Sequence, residues 1–278
     1  MPPRKRKKTP GANTPTVVVD GSAKLRLNDV DPATKPETTK AKAGEQITEL
    51  QGRLRELQQA LYAEHQRSIL IVIQGMDTSG KDGAIKFLCA GVDPNGVQLT
   101  NFKYPTAEEF DHDFLWRVHH ATPRRGGIGI WNRSHYEDVL VPRVHQQIDA
   151  ATWRKRCEDI VAFEGLLHRN GTTLLKFFLH ISKDEQKARL EARLADPSKI
   201  WKFNPEDLKE RARWAEYQQT YEDVINRSAT DYAPWHVIPA DYKWGRNLQV
   251  LGVVVQKLAE MNPSYPKPSF DPATIVVE

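Results

Sequence analysis

The feature that most constrains this chain is the join between ILIVI, Ile69 to Ile73, and GMDTSGKDG, Gly75 to Gly83. Five consecutive apolar residues, instead of alternate ones, describe a strand covered on both faces, as in a parallel sheet. Gly75-x-x-x-x-Gly80-Lys81 follows almost at once, and a helix is expected to open near Asp82. Strand, glycine-bracketed loop and helix amino terminus in that order make a cradle of backbone N–H groups for phosphate, with Lys81 adding a mobile positive charge. Gly75, Thr78, Ser79, Gly80 and Gly83 are therefore candidate phosphate-binding positions.

The alternation of strand and helix continues in both directions. Ile47, Leu50, Leu54, Leu57 and Leu61 are spaced by threes and fours, one apolar stripe on a helix that packs against a sheet or forms a dimer seam. VQLTNF, Val97 to Phe102, and GIGIW, Gly127 to Trp131, are strand-like, and Thr106 with Glu109 forms a capping box for a helix reaching about His120. A helix from about Ala151 to Arg169, ended by Asn170 and Gly171, leads into the strand LLKFFLHI, Leu174 to Ile181. Ser182 and Glu185 cap a further helix, Asp196 and Pro197 break it, Asn204 and Pro205 start another, and WHVIPA, Trp235 to Ala240, precedes a closing helix. The expectation is a doubly wound α/β fold with a parallel sheet and its chemistry at the carboxyl ends of the strands. Residues 1–42 read as a disordered or extended basic tail with a trace of strand at Val17 to Val19, 43–262 as one domain with a lid at about 182–211, and 263–278 as a surface-running tail.

Composition narrows the function classes. No apolar run approaches the roughly 18 residues of a membrane span, and no apolar stretch follows the basic start MPPRKRKKTP, so neither a membrane partner nor a secretory signal is expected and the location is cytoplasmic. Cys89 and Cys157, both in helical patterns, suit a reducing compartment. Arg4, Lys5, Arg6, Lys7 and Lys8 hold five of the charges behind the net +4, leaving the body near neutral. That arm is a solvated terminus or a nucleic-acid contact.

Carboxylates inside an anion cradle need a reason. The residue after Lys81 is Asp82 where a Mg²⁺-binding hydroxyl is usual, and the strand GIGIW is followed by neutral Asn132 where a second acidic ligand is usual. Asp77, facing phosphate, would be repelled unless a divalent cation lay between, and Mg²⁺ binds through one or two carboxylates plus substrate phosphates. Asp77 is thus the expected metal ligand, with a loop-stabilising Asx turn as the other reading. Asp82 is explained by the helix dipole alone.

Two further constellations join the loop. In NRSHYED, Asn132 to Asp138, Arg133 can clamp a phosphate bidentately or form a surface ion pair; Asn132 and Ser134 can hydrogen-bond it, Glu137 adds an acid, and His135 packs, caps or acts in catalysis. Adjacent His119 and His120 cannot share a helix face, which argues against a metal pair. In Ser182 to Arg211, Arg189 and Arg193 stand four apart while Lys199 and Lys202 straddle the helix break. They form a closing lid that stabilises charge in phosphoryl transfer, or ordinary solvated faces with interleaved Asp184, Glu185 and Glu191.

GMDTSGKDG, WNRSHYEDVLVPRV and the run from SKDEQKARL to WKF together resemble the polyphosphate kinase 2 family, from about residue 45 to the end. The resemblance implies a P-loop kinase of thymidylate-kinase-like fold with a helical lid, using Mg²⁺, with Mn²⁺ as a substitute, and commonly oligomeric, as a homodimer or tetramer. It implies that Asp77 and Lys81 are the essential loop pair, Arg133 the arginine of the Walker B-like segment and Arg193 the lid arginine. Asn132 departs from members with Asp there. Glu137 after NRSHY is similar to class III members, which phosphorylate nucleoside mono- and diphosphates from inorganic polyphosphate; class I members tend to have Asn.

The expected reaction is direct in-line transfer from polyphosphate to an adenine or guanine nucleotide, AMP to ADP to ATP. Ionised phosphate oxygens need no strong base, so positioning and charge neutralisation dominate. Two rivals remain: an ATP-dependent nucleotide or metabolite kinase, and a nucleotide-dependent switch whose basic arm binds nucleic acid.

Overall fold

The computed structural model, which describes residues 15–277, places the apolar run 69–73 at the centre of a six-stranded sheet. In chain order the elements are β1 (Val17–Val19), α1 (Lys40–Glu64), β2 (Ser68–Gln74), α2 (Lys81–Cys89), β3 (Val97–Asn101), α3 (Ala107–Phe110), α4 (Trp116–His120), β4 (Ile128–Asn132) and α5 (Glu137–Val144). They continue with α6 (Ala150–Arg169), β5 (Thr172–His180), α7 (Lys183–Ala195), α8 (Glu206–Ala212), α9 (Trp214–Ser228), β6 (Trp235–Pro239) and α10 (Lys243–Met261). The sheet order is β1-β6-β5-β2-β4-β3, with every pair parallel except β1 against β6.

β2 is apolar from Ile69 to Ile73 because both its faces are covered. Ile69, Ile71 and Ile73 pack with Leu54, Leu57 and Leu61 of α1, Ile85 and Leu88 of α2, and Leu251 and Val254 of α10. Leu70 and Val72 point the other way, into a core with Val139 and Leu140 of α5, Ile160 of α6 and Val224 and Ile225 of α9. Each such fully buried side chain contributes about 1.5–3 kcal/mol, so the loop leaving β2 rides on a rigid strand. The stripe on α1 faces this core and is not a free dimer seam. The register Ile73↔Asn132 brings the end of β4 beside that loop.

Two expectations are corrected. Residues 15–42 are not a tail: Val17–Val19 pair with Val237, His236 and Trp235, and Leu25, Leu27 and Val30 are buried. Asn226 Oδ1 accepts from Leu25 N–H at 2.7 Å and Glu222 Oε2 from Leu27 N–H at 2.7 Å, which straps the segment across α9 before α1 begins at Lys40. The basic arm at 4–8 lies outside the described residues. The helix expected from Thr106 to His120 is two short ones; the capping box is present, but Asp113 then turns the chain, its side chain accepting from Leu115 N–H at 2.9 Å.

Candidate active site

The loop between β2 and α2 takes its shape from backbone that only glycine adopts easily. Gly80 has φ +95°, and a Cβ there would lie 1.9 Å from Arg246 Nη1; one on Gly75 would lie 2.6 Å from Ser79 Oγ. Lys81 Nζ curls back to donate to Gly75 O at 2.7 Å and Met76 O at 3.1 Å. Burial lowers its pKa while Asp77 works the other way.

Arg133 leaves the end of β4 in a left-handed conformation, φ +61°, and stands between two acids. Its Nη2 is 3.2 Å from Asp77 Oδ1 and its Nη1 3.5 Å from Glu137 Oε2. Those carboxylates hold its pKa up, Glu137 more strongly than Asp77. Burial pushes the Glu137 carboxyl up, against the pull of Arg133 and Lys81. Under this turn lies a closed polar layer: buried Lys176 donates to Glu164 Oε2 at 2.6 Å and Ser228 O at 2.7 Å, and Tyr136 donates to Glu164 Oε1 at 2.7 Å. His135, wholly buried and 3.3 Å from Glu164, belongs to that layer and does not reach the loop surface as a catalytic group would.

Around this centre are two cavities that share Asp77, Lys81, Arg133 and Asp207. The larger, about 670 Å³, has Arg193, Lys199, Lys202 and Lys243 in its wall and no aromatic side chain. The smaller, about 270 Å³, is lined by Glu137, Leu140, Val141, Tyr217 and Tyr221. Gly75 lies in the smaller wall, while Thr78, Gly80, Gly83 and Asn132 lie in the larger. Arg193 Nη1 donates to Lys202 O at 3.1 Å and is 3.6 Å from Asp207 Oδ2, so the lid arginine is tied within the lid. Lys199 pairs with Asp196 beside it.

Two expected ligands turn out to be structural. Arg189 is half-buried in the wall of the larger cavity with all five donors engaged: Nε to Glu185, Nη1 to Thr78 O and Ser79 O, Nη2 to Ala240 O and Asp241 O, all at 2.7–3.0 Å. It braces the back of the loop and has no N–H left for a phosphate. Ser134 is fully buried, its Oγ accepting from Gln74 Nε2 at 3.0 Å and from Tyr136 N–H at 3.2 Å. Ser79 is likewise buried, and its backbone is engaged on both sides: its N–H donates to Met76 O at 3.0 Å and its carbonyl accepts from Arg189.

Asn132 donates to Asp82 Oδ1 at 2.8 Å and Asn101 Oδ1 at 2.9 Å, tying the start of α2 to the ends of β3 and β4. Its own Oδ1 is buried without a partner, as are Thr78 Oγ1 and Ser79 Oγ. Buried acceptors are normally satisfied, so these orphans fit a polar ligand or its water shell at the loop. Among the described residues no three His, Cys, Asp or Glu side chains converge on one metal position. One carboxylate, Asp77, supplemented by substrate phosphates is the donor set that fits a hard divalent cation.

Sequence reasoning missed Asp207, Gln186, Lys243, Arg246 and the Tyr217–Tyr221 pair. Gln186 Nε2 holds Asp77 O at 3.0 Å. The tyrosines stand four apart on α9, a spacing that marks one helix face but not what the face meets.

The family model described as Polyphosphate kinase 2 matches residues 37–266. The chain is 47% identical over 259 residues to an AMP/ADP-polyphosphate phosphotransferase of Meiothermus ruber, covering 93% of this chain and 97% of that one. It is 42% identical to an ADP-polyphosphate phosphotransferase of Rhodopseudomonas palustris, over 77% and 78% of the two chains. The crystal structure of polyphosphate kinase 2 from Arthrobacter aurescens superposes with a TM-score of 0.89 at 43% identity, covering 92% of each chain.

Proposed function

The chain belongs to the polyphosphate kinase 2 family, and from that premise we propose that it phosphorylates AMP to ADP and ADP to ATP with inorganic polyphosphate as donor. The observation that carries this reading is the pair of cavities meeting at Asp77, Lys81 and Arg133. The larger, whose wall holds seven Lys and Arg against four Asp and Glu and no aromatic surface, suits a polyanion that has no base. The smaller, with two tyrosines and Glu137, suits a nucleotide.

In the reaction a nucleotide phosphate oxygen attacks the terminal phosphorus of the chain, the bond to the bridging oxygen breaks, and the shortened chain leaves with that oxygen's electrons. Lys81 and Arg133 neutralise the oxygens of the moving group, and Arg193 adds its charge from the lid. Asp77 would hold a divalent cation, Mg²⁺ with Mn²⁺ as a substitute, and such a cation supplies the countercharge that lets two polyanions approach. Gly75, Thr78, Gly80 and Gly83 cradle the phosphates, and Lys199 and Lys202 guide the chain. No phosphohistidine is required, which accords with the burial of His135.

The kinase body takes in the strap at 15–39 together with 43–262, and the lid spans about 182–211. A cytoplasmic homo-oligomer, dimer or tetramer, that does not engage nucleic acid completes the reading. Among the described residues no helix is long and apolar enough to cross a membrane. The test is a phosphorus NMR time course with protein, AMP, Mg²⁺ and polyphosphate, without ATP. ADP and then ATP are expected; turnover only when ATP is supplied would favour an ATP-dependent kinase.

A further inference from the structure

Arg246 is a buried cation without an anion. It is 3% exposed, its Nε and Nη2 both donate to Asn247 Oδ1 at 3.1 and 2.7 Å, and no carboxylate pairs with it among the described residues. Its Nη1 has no hydrogen-bond acceptor among them. Burial, with repulsion from Arg189, pushes its pKa down to about 10, still a cation at neutral pH. An unpaired buried charge is costly unless a ligand completes it.

The guanidinium lies under the phosphate loop. A Cβ on Gly83 would be 3.2 Å from its Nη2, as one on Gly80 would strike its Nη1, and both glycines line the larger cavity. The surrounding helix end is equally anion-ready. α10, 19 residues long, begins at Lys243 with no side-chain cap and no acid in its first turn, so no side chain answers its leading N–H groups and dipole. Lys243 is exposed and lines the same cavity. Asp241, the adjacent acid, is engaged by Ser182 N–H at 2.9 Å.

We propose that the amino end of α10, with Lys243 and Arg246, is a second anion subsite that holds donor phosphates beyond those in the Gly75–Lys81 loop. It rests on the donor reading above and adds a consequence: long chains engage both subsites, whereas tripolyphosphate fills only the loop. Arg246 supplies its charge from beneath and Lys243 from the rim.

The test compares KM for chains of tens of phosphates with KM for tripolyphosphate, at saturating AMP, in the full chain and its Lys243→Ala and Arg246→Gln variants. Lys243→Ala is expected to raise the long-chain KM about threefold to fivefold more than the tripolyphosphate KM, the range for one solvent-facing charge contact. Arg246→Gln, checked for folding by circular dichroism, shifts the ratio in the same sense. Equal shifts for the two donors, or none in Lys243→Ala, overturn the subsite and leave Arg246 a brace for the loop. If the wild type turns over neither donor, the proposed function fails instead. Calorimetric titration of long polyphosphate into wild type and Lys243→Ala then decides the subsite, with equal affinities refuting it.

Discussion

Asp77 Oδ1 lies 3.2 Å from Arg133 Nη2, across the gap where a phosphate chain and a cation would have to meet. The pair is half open to solvent, so its own contribution to stability is small, about 0–1 kcal/mol. Its value is in what each partner does when released. On the proposed reading, a cation on Asp77 would free Arg133 for phosphate oxygens. Asp77→Asn is therefore expected to lower turnover by about a hundredfold or more while leaving the melting temperature nearly unchanged. Mn²⁺ titration followed by electron paramagnetic resonance should show the lost cation site in the same variant. Near-normal turnover would refute the role of Asp77.

Glu137 holds the other side of Arg133, in the cavity with Tyr217 and Tyr221. On the proposed reading AMP offers one phosphate, which Arg133 would set at the reacting position, with Glu137 orienting the guanidinium towards it. ADP has a second phosphate to grip. Glu137→Asn is expected to lower kcat/KM for AMP about tenfold relative to ADP, the size of one charge-assisted contact. An unchanged AMP-to-ADP ratio would remove Glu137 from acceptor selection.

Arg189 separates two meanings of a basic residue in a lid. Because its guanidinium satisfies four backbone carbonyls, Arg189→Ala should destabilise the protein by about 2–4 kcal/mol, with Lys a poor replacement. Urea unfolding measures it. A variant of normal stability with only a raised donor KM would restore the ligand role that the i, i+4 spacing with Arg193 suggests.

That contrast explains what was legible in the sequence. The loop, its strand and Arg133 were, because strand burial, glycine and charge sit within a few residues of one another. Arg189 and Ser134 were not, since which way a side chain turns depends on partners such as Ala240 O and Gln74 Nε2, distant in the chain. Arg246 was hidden for the same reason, lying more than 160 residues from the glycines it packs under. The strap at 15–39 escaped because Leu25, Leu27 and Val30 are diluted among polar residues, so its apolar contacts appear only when α9 and β6 stand beside it.

The sheet also carries a pH signature. His236, on β6 between β1 and β5, is buried, its Nδ1 without a partner, and burial pushes its pKa down to about 4. In the unfolded chain the ring titrates at the ordinary histidine value of 6.5. Between those values the unfolded chain takes up a proton that the folded one refuses, so this contribution is complete above about 6.5 and is lost as pH falls towards 4. The shift corresponds to about 3 kcal/mol. His180, pushed down by burial as well, acts in the same sense. Glu164, held below its usual range by Lys176 and His135 against the effect of burial, loses its contribution only at lower pH. His236→Phe is thus expected to flatten, without abolishing, the fall in urea midpoint between pH 6.5 and 4.5. Phe177, whose ring centre is 5.3 Å from the imidazole, would adjoin the new ring. A profile that keeps its wild-type slope would show that the ring is protonated in the folded state, and that β6 is open to water there.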